Sequence, residues 1–362
     1  MAESDATSGK EANNANLQPK RPVLAQGLLS FASSVRDRII GPSEPTTPSS
    51  EIPPTLATAP ATPLSSLFPK TNPAIDGDDC LHDCDSCTAT YPGGFKIDME
   101  DSLYGQVTGW SLHIIVATGK TDWKHDVADE QGSVMEALKQ VEVRAGDGGN
   151  VKVSASDMLV PCGKEEGETS VLVLPAFLIV EGVVPRRIEA LVEEIVQTAP
   201  TTMSPLTRLV MPTGELRQKP CPHRAIILLC SQRTRDARCG QSAPILRREF
   251  ERHLRPLGLQ RDMDDDRPGG VGVYFISHVG GHKYSANVII YRRPNAFGLD
   301  EGSGMDSNSS EDVGAGQCIW LARIRPEHCE NIIRYTVMRG KVVDPEMQLR
   351  GGFDRAKELM SW

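Results

Sequence analysis

The chain has 362 residues, 39% hydrophobic and 24% charged, which suits a folded protein of two ordinary domains plus a tail. Its net charge of −9 is uneven, roughly −13 over 1–218 and roughly +4 over 219–362, and the absence of a dense basic stripe argues against a nucleic-acid partner. No run of about 18 apolar residues occurs, so no membrane span is expected; the longest stretch, Val171 to Val184, is interrupted by Pro175 and Glu181.

In chain order, residues 1–75 are rich in Ala, Ser, Thr and Pro and read as a disordered tail. Val23 to Ile40 has some amphipathic character, but a solvated tail is the stronger reading. No secretory signal opens the chain, and Glu3, Asp5 and Glu11 precede the first arginine, which argues against a mitochondrial presequence. The expected compartment is the cytoplasm, with the nucleus second. Nine cysteines in a reducing compartment point to metal binding or redox chemistry rather than structural disulfides.

Residues 76–197 read as a first folded unit with a Cys-rich lead-in. Cys80, Cys84 and Cys87 stand there beside His82 and several aspartates, as a weak second metal site, a reactive thiol pair or simply exposed thiols. Strands are expected at Ser111 to Ala117, Val151 to Ala155 and Ser170 to Val180, with helices at Gly132 to Val143 and Arg186 to Val196. Residues 198–220 carry several prolines and read as a linker.

Residues 221–362 repeat the pattern. Strands are expected at Arg224 to Leu229, Val271 to Ser277, Asn287 to Arg292 and Cys318 to Ile324, and helices at Ala243 to Leu254 and Pro326 to Met338. Residues 298–316 read as a flexible insertion. Each half thus runs strand, loop, helix, strand, strand, helix. The predicted fold class is α/β, with two thioredoxin-like units, the first degenerate.

Two loops carry the chemistry. Cys230-Ser-Gln-Arg-Thr-Arg-Asp-Ala-Arg-Cys239 begins at one strand end, and His278-Val-Gly-Gly-His282 at another. Two thiols and two imidazoles on loops held by a sheet make a plausible metal site. Gly280 and Gly281 permit a tight turn that aims both imidazoles at one point. Arg233, Arg235 and Arg238 favour thiolate over thiol. The spacing departs from the common zinc finger, and donor types alone leave zinc and an iron–sulfur cluster evenly balanced. Cys162, Cys221, Cys318 and Cys329 read as structural. Asp122, Trp123 and His125 are expected to pack on the other half or to bind a partner.

The segments Cys230–Gly240 and His278–Lys283, together with Thr121–Asp126, resemble the sucrase/ferredoxin-like family over roughly 80 to 362. The resemblance implies a thioredoxin-like ferredoxin in the second half and a [2Fe–2S] cluster ligated by Cys230, Cys239, His278 and His282. Two thiolates would bring the oxidised core, formally about +2, to about zero, so its potential should lie above that of four-cysteine ferredoxins and respond to pH. An electron carrier or redox sensor is then expected, with an electron donor or acceptor protein as partner, rather than an enzyme with its own substrate. No carboxylate pair suggests glycoside cleavage. The ending Met360-Ser361-Trp362 is similar to the tripeptide by which some iron–sulfur proteins recruit the cytosolic assembly machinery; packing is the plainer reading. A zinc-stabilised interaction module and a thiol–disulfide oxidoreductase using Cys230 and Cys239 remain the alternatives.

Overall fold

The computed structural model describes residues 62–161, 165–211, 213–302 and 313–362. Strands built of apolar, β-branched runs start both halves. Leu112–Ala117 (β1) and Ala225–Cys230 (β6) are buried at every position, as expected for strands covered on both faces. β1 pairs parallel with Val151–Ser156 (β2) and antiparallel with Thr169–Leu174 (β3), and β3 turns back into Leu178–Val183 (β4). The short edge strand Arg217–Pro220 (β5) lies against β4.

The second half repeats this order. The two-residue strand Gln260–Arg261 (β7) runs beside Val271–Ile276 (β8), which pairs parallel with β6. On its other side β6 pairs antiparallel with Val288–Arg292 (β9), followed by Gln317–Leu321 (β10), Leu349–Asp354 (β11) and Leu359–Ser361 (β12). All these strands form one mixed sheet.

The join between the halves is narrow. Ser156 of β2 pairs antiparallel with Ile276 of β8, so the equivalent strand of each half meets its counterpart at the C-terminal end. Ser277 donates to the Ala155 carbonyl at 2.9 Å, and Asp157 donates to the Phe275 carbonyl at 3.3 Å. The buried Asp157 carboxylate accepts from the Phe275 amide and pairs with Arg247 at 2.7 Å.

Helices cover one face of the sheet. Val134–Gln140 (α1) starts at Ser133, whose hydroxyl accepts from the Glu136 amide. A second helical run has three segments, Pro185–Arg187, Ile188–Ala190 and Leu191–Val196 (α2). Ala237–Leu254 (α3) is the longest helix described, and Pro326–His328, Cys329–Asn331 and Ile332–Val337 make a fourth run (α4). Leu138, Leu191, Leu246, Phe250 and Ile333 carry these helices onto one core. The opposite face is aromatic, with Trp110, Tyr291, Trp320, Phe353 and Trp362 over the strands.

Several expectations need correction. The strand expected at Ser170 to Val180 is two strands. Pro175 cannot donate to a ladder and Phe177 has φ 54°, so the chain turns within an unbroken apolar run that conceals the hairpin. The helix expected from Ala243 starts at Ala237. Pro244 lies inside the helix, where it has no N–H to give the Gly240 carbonyl, and the helix runs through it nonetheless. β11 and β12 were not expected. The tail was expected to reach residue 75, yet Leu67 and Phe68 are fully buried on the core. Residues 1–61, most of the Gly298–Gly316 insertion and Cys162 lie outside the described residues.

Candidate metal centre

The donors sit at the C-terminal ends of β6 and β8, the two parallel strands at the centre of the second half. Cys230 is the last residue of β6, and His278 lies two residues beyond β8. Cys239 is not on the same loop as Cys230, as the sequence suggested; it occupies the first turn of α3, and Asp236 caps that helix by accepting from the Arg238 amide. Cys230, Cys239 and His278 each present a donor atom within 4.8 Å of the others. The two sulfurs are 3.5 Å apart, and Cys230 Sγ is 3.7 Å from His278 Nδ1.

His282 stands one shell outward. Its Nδ1 lies 3.5 Å from His278 Nε2, its Nε2 lies 3.9 Å from Asp236 Oδ2, and its side chain is 47% exposed. The loop between the histidines turns on Gly280 at φ 86° and Gly281 at φ 68°. A side chain at Gly281 would run into the Arg350 guanidinium.

The two thiols are not equivalent. Cys230 donates its proton to Cys239, and Cys239 also faces His278 and Ser285, which pulls its thiol down; that same bond and burial push Cys230 up. Behind them lie two cations that sequence reasoning missed, Arg350 buried and Lys152 partly buried. Lys152 rests 5.2 Å from the Trp110 ring, and burial lowers its ammonium to about 8. Arg350 stacks 4.2 Å from the Trp320 ring, donates to Gly280 and Asn287, and is lowered to about 10 by burial. Among the described residues no carboxylate pairs with either. A largely buried cation pair of this kind calls for nearby anions, which Cys230 and Cys239 would supply as thiolates on binding a metal. The donor set and its surroundings therefore fit a metal or metal–sulfur group held by thiolate and imidazole.

The first half holds the ligand loops in place. Gln232 accepts from the His278 amide at 2.9 Å and donates to the Lys124 carbonyl at 2.5 Å. Ser231 donates to the Thr121 carbonyl, Thr234 hydrogen-bonds the Asp122 carboxylate, and Arg235 reaches His125. Of the two readings for Asp122 and His125, contact with the other half is the one observed.

The Cys-rich lead-in does not close on itself. Cys80 is buried near Tyr335, Cys84 meets His253 and Glu330, and Cys87 donates to Glu249. Trp362 packs 4.4 Å from Trp110 over Gly109, where a Cβ would strike its ring. Among the described residues, no helix is long and apolar enough to cross a membrane.

Comparison with known proteins agrees with these motifs. The family model described as sucrase/ferredoxin-like matches residues 103–351. The chain is 28% identical over 289 residues to actin patches distal protein 1 of Saccharomyces cerevisiae, covering 74% of this chain and 83% of that protein. It is 29% identical over 145 residues to altered inheritance of mitochondria protein 32 of Clavispora lusitaniae, covering 40% of this chain and 41% of that one. The protein of the same name from Debaryomyces hansenii is 33% identical over 118 residues, a third of each chain. No solved structure gives a significant match. With the family model spanning more than half of its length, the chain belongs to the sucrase/ferredoxin-like family.

Proposed function

We propose that this chain is a [2Fe–2S] protein for one-electron transfer or redox sensing, with Cys230, Cys239, His278 and His282 as ligands. The observation that carries this reading is the convergence of two thiols and an imidazole within 4.8 Å, beside two cations, one buried and one partly buried, that lack carboxylate partners among the described residues. When bound, the cluster supplies a one-electron couple whose potential is raised because two imidazoles replace two thiolates. The protein's own residues do the rest. Lys152 and Arg350 balance thiolate charge, Gly280 and Gly281 shape the histidine loop, and the Asp236 carboxylate faces His282 Nε2 at 3.9 Å, where a ring proton of a bound His282 would sit beside it. Electron uptake at the site would strengthen that proton's binding, so the potential should fall as pH rises.

The fold supports the same reading. In each half the parallel strand pair lies beside an antiparallel pair in the order second, first, third, fourth, with a helix after the first strand and another after the fourth. That order suits a thioredoxin-like unit, and the donors of this site lie in the second half. The exposed edge of His282 shares Asp236 with Arg238, and basic residues on the same loop suit an acidic electron-transfer partner. A reducing compartment such as the cytoplasm or nucleus suits free thiols. The word mitochondria in the names of two relatives describes those proteins.

A second reading is a single zinc ion. The 3.5 Å sulfur separation is close to the roughly 3.8 Å that a tetrahedral ion with 2.3 Å bonds requires. The same closeness would let Cys230 and Cys239 form a disulfide if no metal were bound. Anaerobic purification of the full chain separates these. Two irons with acid-labile sulfide, a red-brown colour and an altered spectrum in His278→Ala or His282→Ala support the cluster. A colourless zinc protein supports the second reading, and a metal-free protein with a reducible Cys230–Cys239 bond the third.

A further inference from the structure

We propose that Cys84, His253 and Glu330 form a second metal site, suited to one zinc ion, at the other end of α3 from the first centre. Their donor atoms lie within 4.8 Å of one another, and they come from three separate elements. Cys84 is on the Cys-rich lead-in, His253 in the last turn of α3, and Glu330 in α4.

The loop that carries Cys84 is held where a ligand must be. Its amide donates to the Glu327 carbonyl at 3.1 Å, and Asn331 donates to the His82 carbonyl at 2.8 Å. These two anchors on α4 flank Glu330. Cys84 Sγ stands 3.8 Å from His253 Nε2. Zinc bonds of 2.3 Å to sulfur and about 2.05 Å to nitrogen at a tetrahedral angle place the two donors about 3.6 Å apart, so ligation asks for a shift of only about 0.2 Å.

Charge supports a divalent cation. A thiolate and a carboxylate match its two charges, and the neutral imidazole completes three ligands. The nearby cations are already partnered by other carboxylates. Arg252, 3.5 Å from Cys84, pairs with Glu249 at 2.7 Å, and Arg334, which pairs with Glu330 at 2.8 Å, also holds Asp79 at 2.6 Å, a partner it keeps when Glu330 turns to a metal. Asp79, Asp83 and Asp85 line the surface cavity onto which Cys84 and Glu330 open, which favours cation entry and leaves water for the fourth position. Cys87 is engaged elsewhere, donating to Glu249. The site differs from the sequence expectation of Cys80, Cys84 and Cys87, because two of its donors come from helices more than 160 residues away.

The site does not depend on the first centre, and the test keeps them apart. Zinc and iron are measured in full-length protein as purified, alongside Cys84→Ser, His253→Gln and Glu330→Gln, and in a Cys230→Ser/Cys239→Ser background. The apo proteins are then titrated with Co²⁺, read by its sulfur charge-transfer and ligand-field absorption. We expect one zinc per chain that persists in the Cys230→Ser/Cys239→Ser background. Each of the three ligand variants should weaken Co²⁺ and Zn²⁺ binding by more than the roughly 10–100-fold typical of an outer-shell loss, with iron unchanged. Should Cys84→Ser fail to fold, the half-buried Glu330→Gln decides: zinc should raise the melting temperature of the native chain and not of this variant. Protein without zinc or cobalt bands, zinc content indifferent to all three substitutions, or a native Cys84–Cys87 disulfide would overturn the assignment.

Discussion

Gln232 accepts the backbone N–H of His278 at 2.9 Å, and its amide nitrogen donates to the Lys124 carbonyl. One buried side chain thus connects both ligand segments of the second half to a loop of the first. Gln232→Ala removes all of this and leaves a buried amide unsatisfied, a loss of about 1–3 kcal/mol. The variant should fold and release its iron several-fold faster under a chelator, measured by the decay of visible absorption. Decay at the native rate would show that the histidine loop is held by other contacts.

Lys152 and Arg350 place positive charge behind Cys230. Lys152→Met keeps the stem and deletes the charge, so an added electron is less well stabilised. The reduction potential should fall by on the order of tens of millivolts. Protein-film voltammetry of the native and variant chains gives the answer, and an unchanged or higher potential would remove Lys152 from the electrostatics of the site.

Asp236 has two roles, capping α3 and facing His282 Nε2 at 3.9 Å. Its carboxyl is held low, chiefly by Arg238, so it stays ionised at neutral pH. Asp236→Asn keeps the cap and removes the charge. A ring N–H at His282 then loses its facing negative charge, so the pH dependence of the potential should move to lower pH by about one unit. The helical signal in circular dichroism should not change.

His223 is buried against Tyr274, and burial lowers its imidazole to about 4; burial also holds His113 well below its ordinary value. Both are neutral in the folded chain and charge on unfolding in acid. The unfolded state therefore binds more protons below pH 6.5, and stability falls as pH drops from 6.5 toward 4. His223 alone accounts for about 3 kcal/mol over that window. Urea titrations at pH 7 and pH 5 should show the loss, and His223→Gln should flatten it.

The sheet was partly legible in the sequence. Apolar runs such as Ala225–Leu229 and Val271–Ile276 announce strands buried on both faces. β11 was hidden because Gly351 and Gly352 suggest a turn. A side chain at either would strike the Ser361 or Cys318 carbonyl, so these glycines mark close backbone approach within a sheet. The extent of α3 was hidden by Pro244, and that error put Cys239 on a loop. Around the site, the Cys and His motifs could be read, but Lys152 and Arg350 could not. A charged residue in a strand reads as solvent-facing until tertiary contacts bury it. The grouping of Cys84 with His253 and Glu330 was equally out of reach, since helix packing alone brings them together.

The narrow join between β2 and β8 lies directly beside His278. Ser277, the residue before that histidine, is fastened to Ala155 of the first half. The half without donors is thus a wall of its counterpart's site, and the second half is not a transferable module. Excised as residues 221–362, it would lose the Lys124 and Ala155 contacts, leave the margin of β8 unpaired near Ile276, and strand Arg247 without Asp157. Such a fragment would tend to associate through that bared strand, and its ligand loops would lack the surface that now keeps them in register.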